Sequence, residues 1–469
     1  MRLRSFFTNS AGIMTSRVFG FLRDLLMASI LGANIYSDIL FVAFKLPNLF
    51  RRIFAEGAFT QSFLPNYVRS DHPDLFAVAL FKRFLLLLLA LSLAVTLFSP
   101  WVTKAVAMGF DAKTVALASP LVAINFYYLD LIFVVAFLAA LLQNKEHYAV
   151  TAFGTSLLNI AMITALLLFR HEEPLKIVHA LSWAVLAGGV AQVALHIWMA
   201  RRLGIWQSLI AAFGKLKSQQ EKIQTELRTF HGAFLPAVLG NSTAQLAAFV
   251  DTWLASFLNS GAISHLFYAN RLFQLPLALF ATAAATALFP SVTRALKAGR
   301  VQEAVTASRR AFALLLGLLG GATAVTLVLH TEIVKLLFER GAFGTADTKE
   351  TALILLGYIA GLLPFGLAKL FSLWLYADNR QKEAAMIASK SLGVNIALSL
   401  LLIAPLAAPG LALASSLGGW VLFWLTLKAV GGERVLDIMR SKYIPHALGF
   451  TLLSALAAWG IKAALHGYL

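Results

Sequence analysis

Apolar runs of helix-spanning length recur from one end of the chain to the other. A bilayer crossing needs about 20 predominantly apolar residues in an α-helix. Such runs fall at residues 11–32, 36–62, 80–102, 117–142, 148–169, 178–199, 232–258, 264–290, 310–330, 351–376, 385–405, 409–429 and 444–466. The pattern predicts an all-α polytopic membrane protein of about thirteen transmembrane helices. One polar stretch stands out by its length, at 201–231. It opens on Arg201-Arg202, passes through an amphipathic piece at Ile205–Phe213, and closes on a charged run from Lys215 to Arg228. This is the pattern of an interfacial helix lying on the membrane surface.

Six spans precede that linker and six follow it before the last. The chain is therefore read as an N-terminal six-helix lobe (1–200), a cytoplasmic amphipathic linker (201–231), a second six-helix lobe (232–430) and a C-terminal helix (431–469). The two halves resemble each other. Asp24, Ala28-Ser29, Leu46-Pro47 and Leu64-Pro65 in the first are echoed by Asp251, Ala255-Ser256, Leu275-Pro276 and Phe289-Pro290 in the second. Parallel repeats about an axis along the membrane normal are a transporter architecture, with the site between the halves.

Charge fixes the orientation. Connections from even to odd spans carry twenty Lys and Arg, from Arg69 to Lys442, and the opposite connections only seven, from Lys104 to Lys349. By the positive-inside rule the N-terminus is cytoplasmic and the C-terminus periplasmic. The same rule accounts for a formal charge of +17 without a nucleic-acid partner. Only 13% of residues are charged, against roughly a quarter in soluble domains. There is no cysteine, which excludes disulfide and thiolate chemistry. The start, Met1-Arg2-Leu3-Arg4, imitates a signal peptide, but Arg17, Arg23 and Asp24 interrupt the following apolar run, which reads as a retained first span.

Ionisable residues at bilayer depth cost about 3 kcal/mol each on insertion scales and mark functional sites. The first two spans hold Arg17, Arg23, Asp24, Asp38, Lys45, Arg51, Arg52 and Glu56, and the eighth holds Arg271. Asp24 follows Arg17 by seven positions and returns to about the same helix face. Glu56 lies one turn beyond Arg52. Cations outnumber acids, so pairing does not consume them all. Lys45 reads as a snorkelling anchor, and Arg52 suits either an anchor or a ligand. Arg17, Arg23 and Arg271 lie too deep to snorkel. They point to a water-filled cationic cavity that receives phosphate, since the guanidinium fork binds phosphate bidentately and stays charged.

These residues carry a family resemblance. The run Ser16-Arg17-Val18-Phe19-Gly20-Phe21-Leu22-Arg23-Asp24, then Asp38, then the segment from Phe44 through Lys45-Leu46-Pro47-Asn48-Leu49-Phe50-Arg51-Arg52 and Glu56-Gly57 to Phe59, closely resembles the MurJ (MviN) family of lipid II flippases. Tyr268-Ala269-Asn270-Arg271-Leu272 with Pro276 resembles that family's eighth-span signature. The likeness covers essentially the whole chain. It implies a multidrug/oligosaccharidyl-lipid/polysaccharide exporter fold, with two six-helix lobes around a central cationic cavity, working by alternating access. It further implies that Arg17, Arg23, Arg51 and Arg271 engage the substrate's pyrophosphate and sugar region, and Arg52 is a further substrate-binding candidate. Asp38 and Glu56 are then functional or gating acids, and Asp24 is a cavity acid beside Arg23. Asp251 resembles the sodium ligand of some members, with Lys390 and Asn395 as neighbours; a Lys390–Asp251 pair would put an internal cation in place of sodium. The chain departs from the family in having Asn270 and Gln274 where acids often flank the arginine. It also has one helix after the twelfth span where two commonly form a lipid-tail groove.

The expected cargo is lipid II, moved across a bacterial inner membrane by a monomer that needs no cofactor, with sodium as the candidate ion. A drug or organic-cation exporter of the same fold would show acids in its cavity instead of Arg. A flippase for another lipid-linked oligosaccharide shares the physics. A membrane-embedded enzyme would need a nucleophile, a metal-ligand set or an Asp-Asp motif, and none is present; His231, His265 and His330 fall near span ends.

Overall fold

The computed structural model describes residues 3–51 and 58–467, and the regular structure among them is helical. The chain divides into two compact units, Met1–Gly261 and Ala262–Leu469. Nine helical stretches among the described residues are long and apolar enough to cross a membrane, which makes this a polytopic membrane protein.

The first unit runs α1 (Leu3–Leu31), α2 (Ile35–Phe50), α3 (Ala58–Arg69), α4 (Pro73–Leu97), α5 (Ser99–Val106), α6 (Ala112–Phe126), α7 (Tyr128–Asn144), α8 (Ala149–Leu168), α9 (Pro174–Arg202), α10 (Ile205–Gln219) and α11 (Gln224–Ala255). Local sequence sets the ends. Asn34 caps α2 by accepting from the Tyr36 and Ser37 N–H groups while Ser37 Oγ accepts from the Asn34 N–H, a reciprocal capping box. Pro73 and Pro174 open α4 and α9, where a missing N–H costs nothing. Asp111 caps α6 through the Thr114 N–H at 2.9 Å. Hydrogen bonding from the Thr114 hydroxyl, and then from its N–H, holds the Asp111 carboxyl below the usual range.

The predicted linker helix is α10, whose Ile205, Leu209, Ala212 and Leu216 are buried at helical spacing. The following span, α11, packs with the first unit. Its Phe230 and Phe234 join Phe59 of α3, Phe76 and Phe84 of α4 and Phe133 of α7, with Phe84 and Phe234 centroids 5.2 Å apart. Interlocked edge-to-face rings of this kind add to area burial. Glu226 at the start of α11 accepts from Ser70 Oγ at 2.6 Å, and Ser256 at its end accepts from the Gly109 N–H at 2.9 Å. Compactness therefore divides the chain after α11, later than the linker.

The second unit runs α12 (Ala262–Pro276), α13 (Ala283–Lys297), α14 (Val301–Phe338), α15 (Thr345–Ile359), α16 (Leu362–Ala377), α17 (Gln381–Val430), α18 (Gly432–Met439) and α19 (Ile444–Gly467). The expected eleventh and twelfth spans are the two arms of α17. They meet at Ala407, whose φ of 50° breaks the helix between Pro405 and Pro409, because a proline ring clashes with the preceding turn. The last expected span is α19, which lies against α14. A Cβ on Gly317 would sit 3.3 Å from Ala447 Cα, and one on Gly320 2.6 Å from Thr451 Oγ1. Small residues allow this close approach where no hydrophobic force drives helices together in lipid. Gly320→Leu is expected to cost about 1–3 kcal/mol by overpacking, read as a lower melting temperature in detergent. Gly449→Leu on the open face of α19, where an added Cβ meets nothing within 4 Å, should leave it unchanged.

Candidate functional site

Arg23 anchors the polar interior of the first unit. Its Nε and Nη2 both donate to Asp24 Oδ1, at 3.1 and 2.6 Å. Its Nη1 donates to Asn159 Oδ1 of α8 at 3.0 Å, and Asn159 Nδ2 in turn donates to the Ser16 carbonyl at 3.3 Å. The Asp24 side chain is 1% exposed and that of Arg23 13%. Asp24 is thus held by the adjacent Arg23 and not by Arg17, as the helical spacing had predicted. Arg23 is drawn inward by Asn159, whereas Arg17 is exposed on α1 and makes no ion pair among the described residues. One of the expected surplus cations is consequently neutralised within its own helix.

A second arginine joins this neighbourhood. Tyr128, at the start of α7 and 2% exposed, lies beside Gln192 of α9 and in the electrostatic field of both Arg51 and Arg23. His196, one turn on from Gln192, donates its Nδ1–H to the Gln192 carbonyl at 2.8 Å. Helices α1, α7, α8 and α9 and the end of α2 thus share one polar seam inside an apolar unit.

Asp38 stands elsewhere. Thirteen residues before Arg51, it is about 20 Å away along α2 at 1.5 Å per residue. It is 2% exposed and accepts the Gly261 N–H at 2.7 Å. Gly261 has φ +91°, a conformation glycine adopts without strain. Arg52 and Glu56 lie outside the described residues.

In the second unit Arg271 projects from α12 with its guanidinium 5.0 Å from the centroid of the Phe267 ring. Asn270 and Gln274, the replaced acids, hydrogen-bond to each other through their side chains. Pro276 ends α12, and residues Leu277–Thr282 form a π-helical segment before α13. Such segments frequently occur at functional sites. Asp251 belongs to the first unit. Lys390 and Asn395 belong to the second, where Asn395 is buried and joins the two arms of α17, donating to Ser415 Oγ at 3.3 Å and accepting from Ser399 at 3.0 Å. Lys390, five residues earlier, is exposed.

Two ionisable groups were passed over in the sequence. Asp130 of α7 is buried and accepts from Ser92 Oγ of α4 at 2.7 Å. Lys369 of α16 donates to Thr282 Oγ1 at 2.9 Å, on the π-helical segment. Both sit inside apolar runs, so the criterion that selected the arginines applies equally to them.

The description "Lipid II flippase MurJ" is that of the family whose model matches residues 27–469. A protein of Helicobacter pylori strain 26695, named probable lipid II flippase MurJ, is 49% identical over 424 residues, which cover 89% of this chain and 92% of that one. A Rhizobium meliloti protein of the same name is 33% identical, over 89% of this chain and 78% of its own length. Among solved structures, one titled as lipid II flippase MurJ in an inward closed conformation superposes with a TM-score of 0.77 at 23% identity, covering 97% of this chain and 98% of that one. One titled as the inward-facing conformation of a multidrug resistance MATE family transporter of the MOP superfamily reaches 0.72 at 13% identity, over 93% of this chain and 99% of its own. These relatives are transporters, not enzymes, and the chain belongs to the MurJ family of lipid II flippases.

Proposed function

We propose that this protein flips lipid II, the lipid-linked peptidoglycan precursor, from the cytoplasmic to the periplasmic leaflet of a bacterial inner membrane by alternating access. The observation that carries this reading is the family match along residues 27–469, joined to relatives of nearly equal length named as probable lipid II flippases. The chemistry of the first unit supports it. Arg23 and Arg51 act on one buried tyrosine, which gives a diphosphate two guanidinium groups to approach. Arg17, Arg52 and Arg271 complete the proposed substrate set. The polyprenyl tail stays in lipid throughout.

Asp38 and Glu56 are proposed as gating acids and Asp24 as the counter-charge of Arg23. Asp38 suits its part by gripping Gly261, the last residue of the first unit; releasing a charge-assisted hydrogen bond costs about 1.5–3 kcal/mol. Membrane potential supplies the drive. It is worth about 2.3 kcal/mol per charge per 100 mV, so two phosphate charges leaving a negative interior gain roughly 4–5 kcal/mol. A vacant cationic cavity is drawn back inward by the same field.

The test is depletion of the protein in cells with an accessibility assay for lipid II on the outer face. Exposure of lipid II is expected to cease on depletion and to slow on depolarisation. Continued exposure in depleted cells overturns the assignment, and undiminished flipping at zero potential without ion gradients overturns the drive. For ion coupling, Asp251 with Lys390 and Asn395 is the proposed site, and Lys390 the internal substitute for sodium. Lys390→Ala is then expected to make transport sodium-dependent, and Asp251→Asn to abolish that dependence. Transport indifferent to sodium in Lys390→Ala rejects the substitution.

A further inference from the structure

The structure carries a second anionic site, away from the arginines of the proposed transport path. Where α10 lies along α4, a cavity of about 320 Å³ opens between the two helices. From α4 it is lined by Ala79, Lys82, Arg83 and Leu86, and from α10 by Phe213, Leu216 and Lys217. Each set recurs at three- and four-residue spacing, so each comes from one helix face. Three cations converge on the cavity and no carboxylate lines it. Lys82, Arg83 and Lys217 are exposed and make no ion pair among the described residues. Beside them Leu86 and Phe213 remain 57% and 58% exposed.

Such exposure wastes nothing if both rings and chains face lipid. Helix α10 follows directly on Arg201 and Arg202, whose guanidinium groups lie 5.5 and 5.7 Å from the ring centroids of Trp206 and Trp198. Trp beside Arg is the signature of the membrane–water interface. The cavity therefore combines a cationic cup with an apolar flank at headgroup depth, on the side that carries the positive connections.

We propose that this α4–α10 cavity binds an anionic glycerophospholipid of the cytoplasmic leaflet. Its phosphodiester lies among Lys82, Arg83 and Lys217, and an acyl chain runs along Leu86 and Phe213. Basic pockets between helices on the cytoplasmic side recognise acidic headgroups in this way. The bound lipid ties the linker helix to α4. A zwitterionic lipid carries its own ammonium into the cup and is disfavoured by like charge. The inference does not rest on the transport reading, since binding is measured without flux.

The full-length chain, purified in detergent, is titrated with dioleoyl phosphatidylglycerol and dioleoyl phosphatidylcholine, and bound lipid is counted by native mass spectrometry. Phosphatidylglycerol is expected to be retained at least roughly tenfold over phosphatidylcholine. The combined variant Lys82→Gln, Arg83→Gln, Lys217→Gln should bring that ratio to about one. Removing the same charge from the linker outside the cavity, with Lys215→Gln, Lys222→Gln and Arg228→Gln, should leave it within about twofold. Equal retention of the two lipids by the unaltered chain overturns the proposal. So does a control variant that loses as much as the lining variant, because the attraction is then diffuse. Displacement of the lipid by millimolar inorganic phosphate or by a short polyprenyl diphosphate also overturns it, assigning the cup to a free anion or to a second lipid class. Should the triple variant fail to fold, Lys217→Glu on the exposed flank of α10 must lower retention at least roughly threefold, and unchanged retention there overturns the proposal equally.

Discussion

Arg23→Ala is expected to abolish transport and also to cost about 3–5 kcal/mol of stability, because it takes one cation and two charge-assisted hydrogen bonds away from a buried carboxylate. The Asp24 side chain is 1% exposed, and two of the three guanidinium nitrogens donate to it. Loss of growth in a depletion strain therefore confounds two roles when this variant is tested alone. The double variant Arg23→Met, Asp24→Leu separates them. Replacing a buried ion pair by apolar groups of similar size is often neutral or stabilising, so its melting temperature should return to that of the unaltered chain. Transport should stay absent, since the Arg23 guanidinium is no longer there for phosphate. A double variant that regains both stability and transport would make Arg23 a purely structural residue. Asn159→Leu gives an intermediate case: it removes the 3.0 Å hydrogen bond from Arg23 Nη1 and keeps the charge, so transport is expected to fall and not to vanish.

Arg271→Ala is the second large effect. The side chain leans on the Phe267 ring at 5.0 Å, a contact worth about 0.5–1 kcal/mol. Loss of this ring contact contributes about that amount to any fall in stability, read by thermal melting in detergent. Transport is nevertheless expected to be lost, because Arg271 is the substrate arginine proposed on α12. Arg271→Lys keeps the charge and loses the planar fork, and should retain a reduced rate in the lipid II accessibility assay. Full activity of Arg271→Ala at normal expression would remove it from the substrate set.

The departures at Asn270 and Gln274 acquire a physical meaning here. With acids, either residue would compete with phosphate for Arg271. As amides they carry no charge to compete for it, and they hydrogen-bond to each other across one helical turn. The π-helical turn after Pro276 sits within two helical turns of Arg271 in sequence, and Lys369 fastens its far end through Thr282.

Much of the architecture follows from composition and spacing alone. Nine helical stretches among the described residues are long and apolar enough to cross a membrane and fall on predicted spans; one of them, α17, holds the eleventh and twelfth, parted at Ala407, because a segment in lipid has to satisfy its backbone hydrogen bonds internally. The linker helix was equally legible, since the buried Ile205, Leu209, Ala212 and Leu216 repeat at three and four residues. Which charges meet was not legible. Periodicity placed Arg17 and Asp24 on one face, yet Asn159, 136 positions beyond Arg23, turns that arginine inward and gives Asp24 to it. The association of α11 with the first unit was likewise hidden, because Phe230 and Phe234 find their partners on α3, α4 and α7. Sequence by itself determined which segments are helices and which residues carry charge into the bilayer, both being local properties of composition and period. Only the tertiary structure decided which of those charges are neutralised and which helices share a core, because both depend on contacts between residues far apart in the chain.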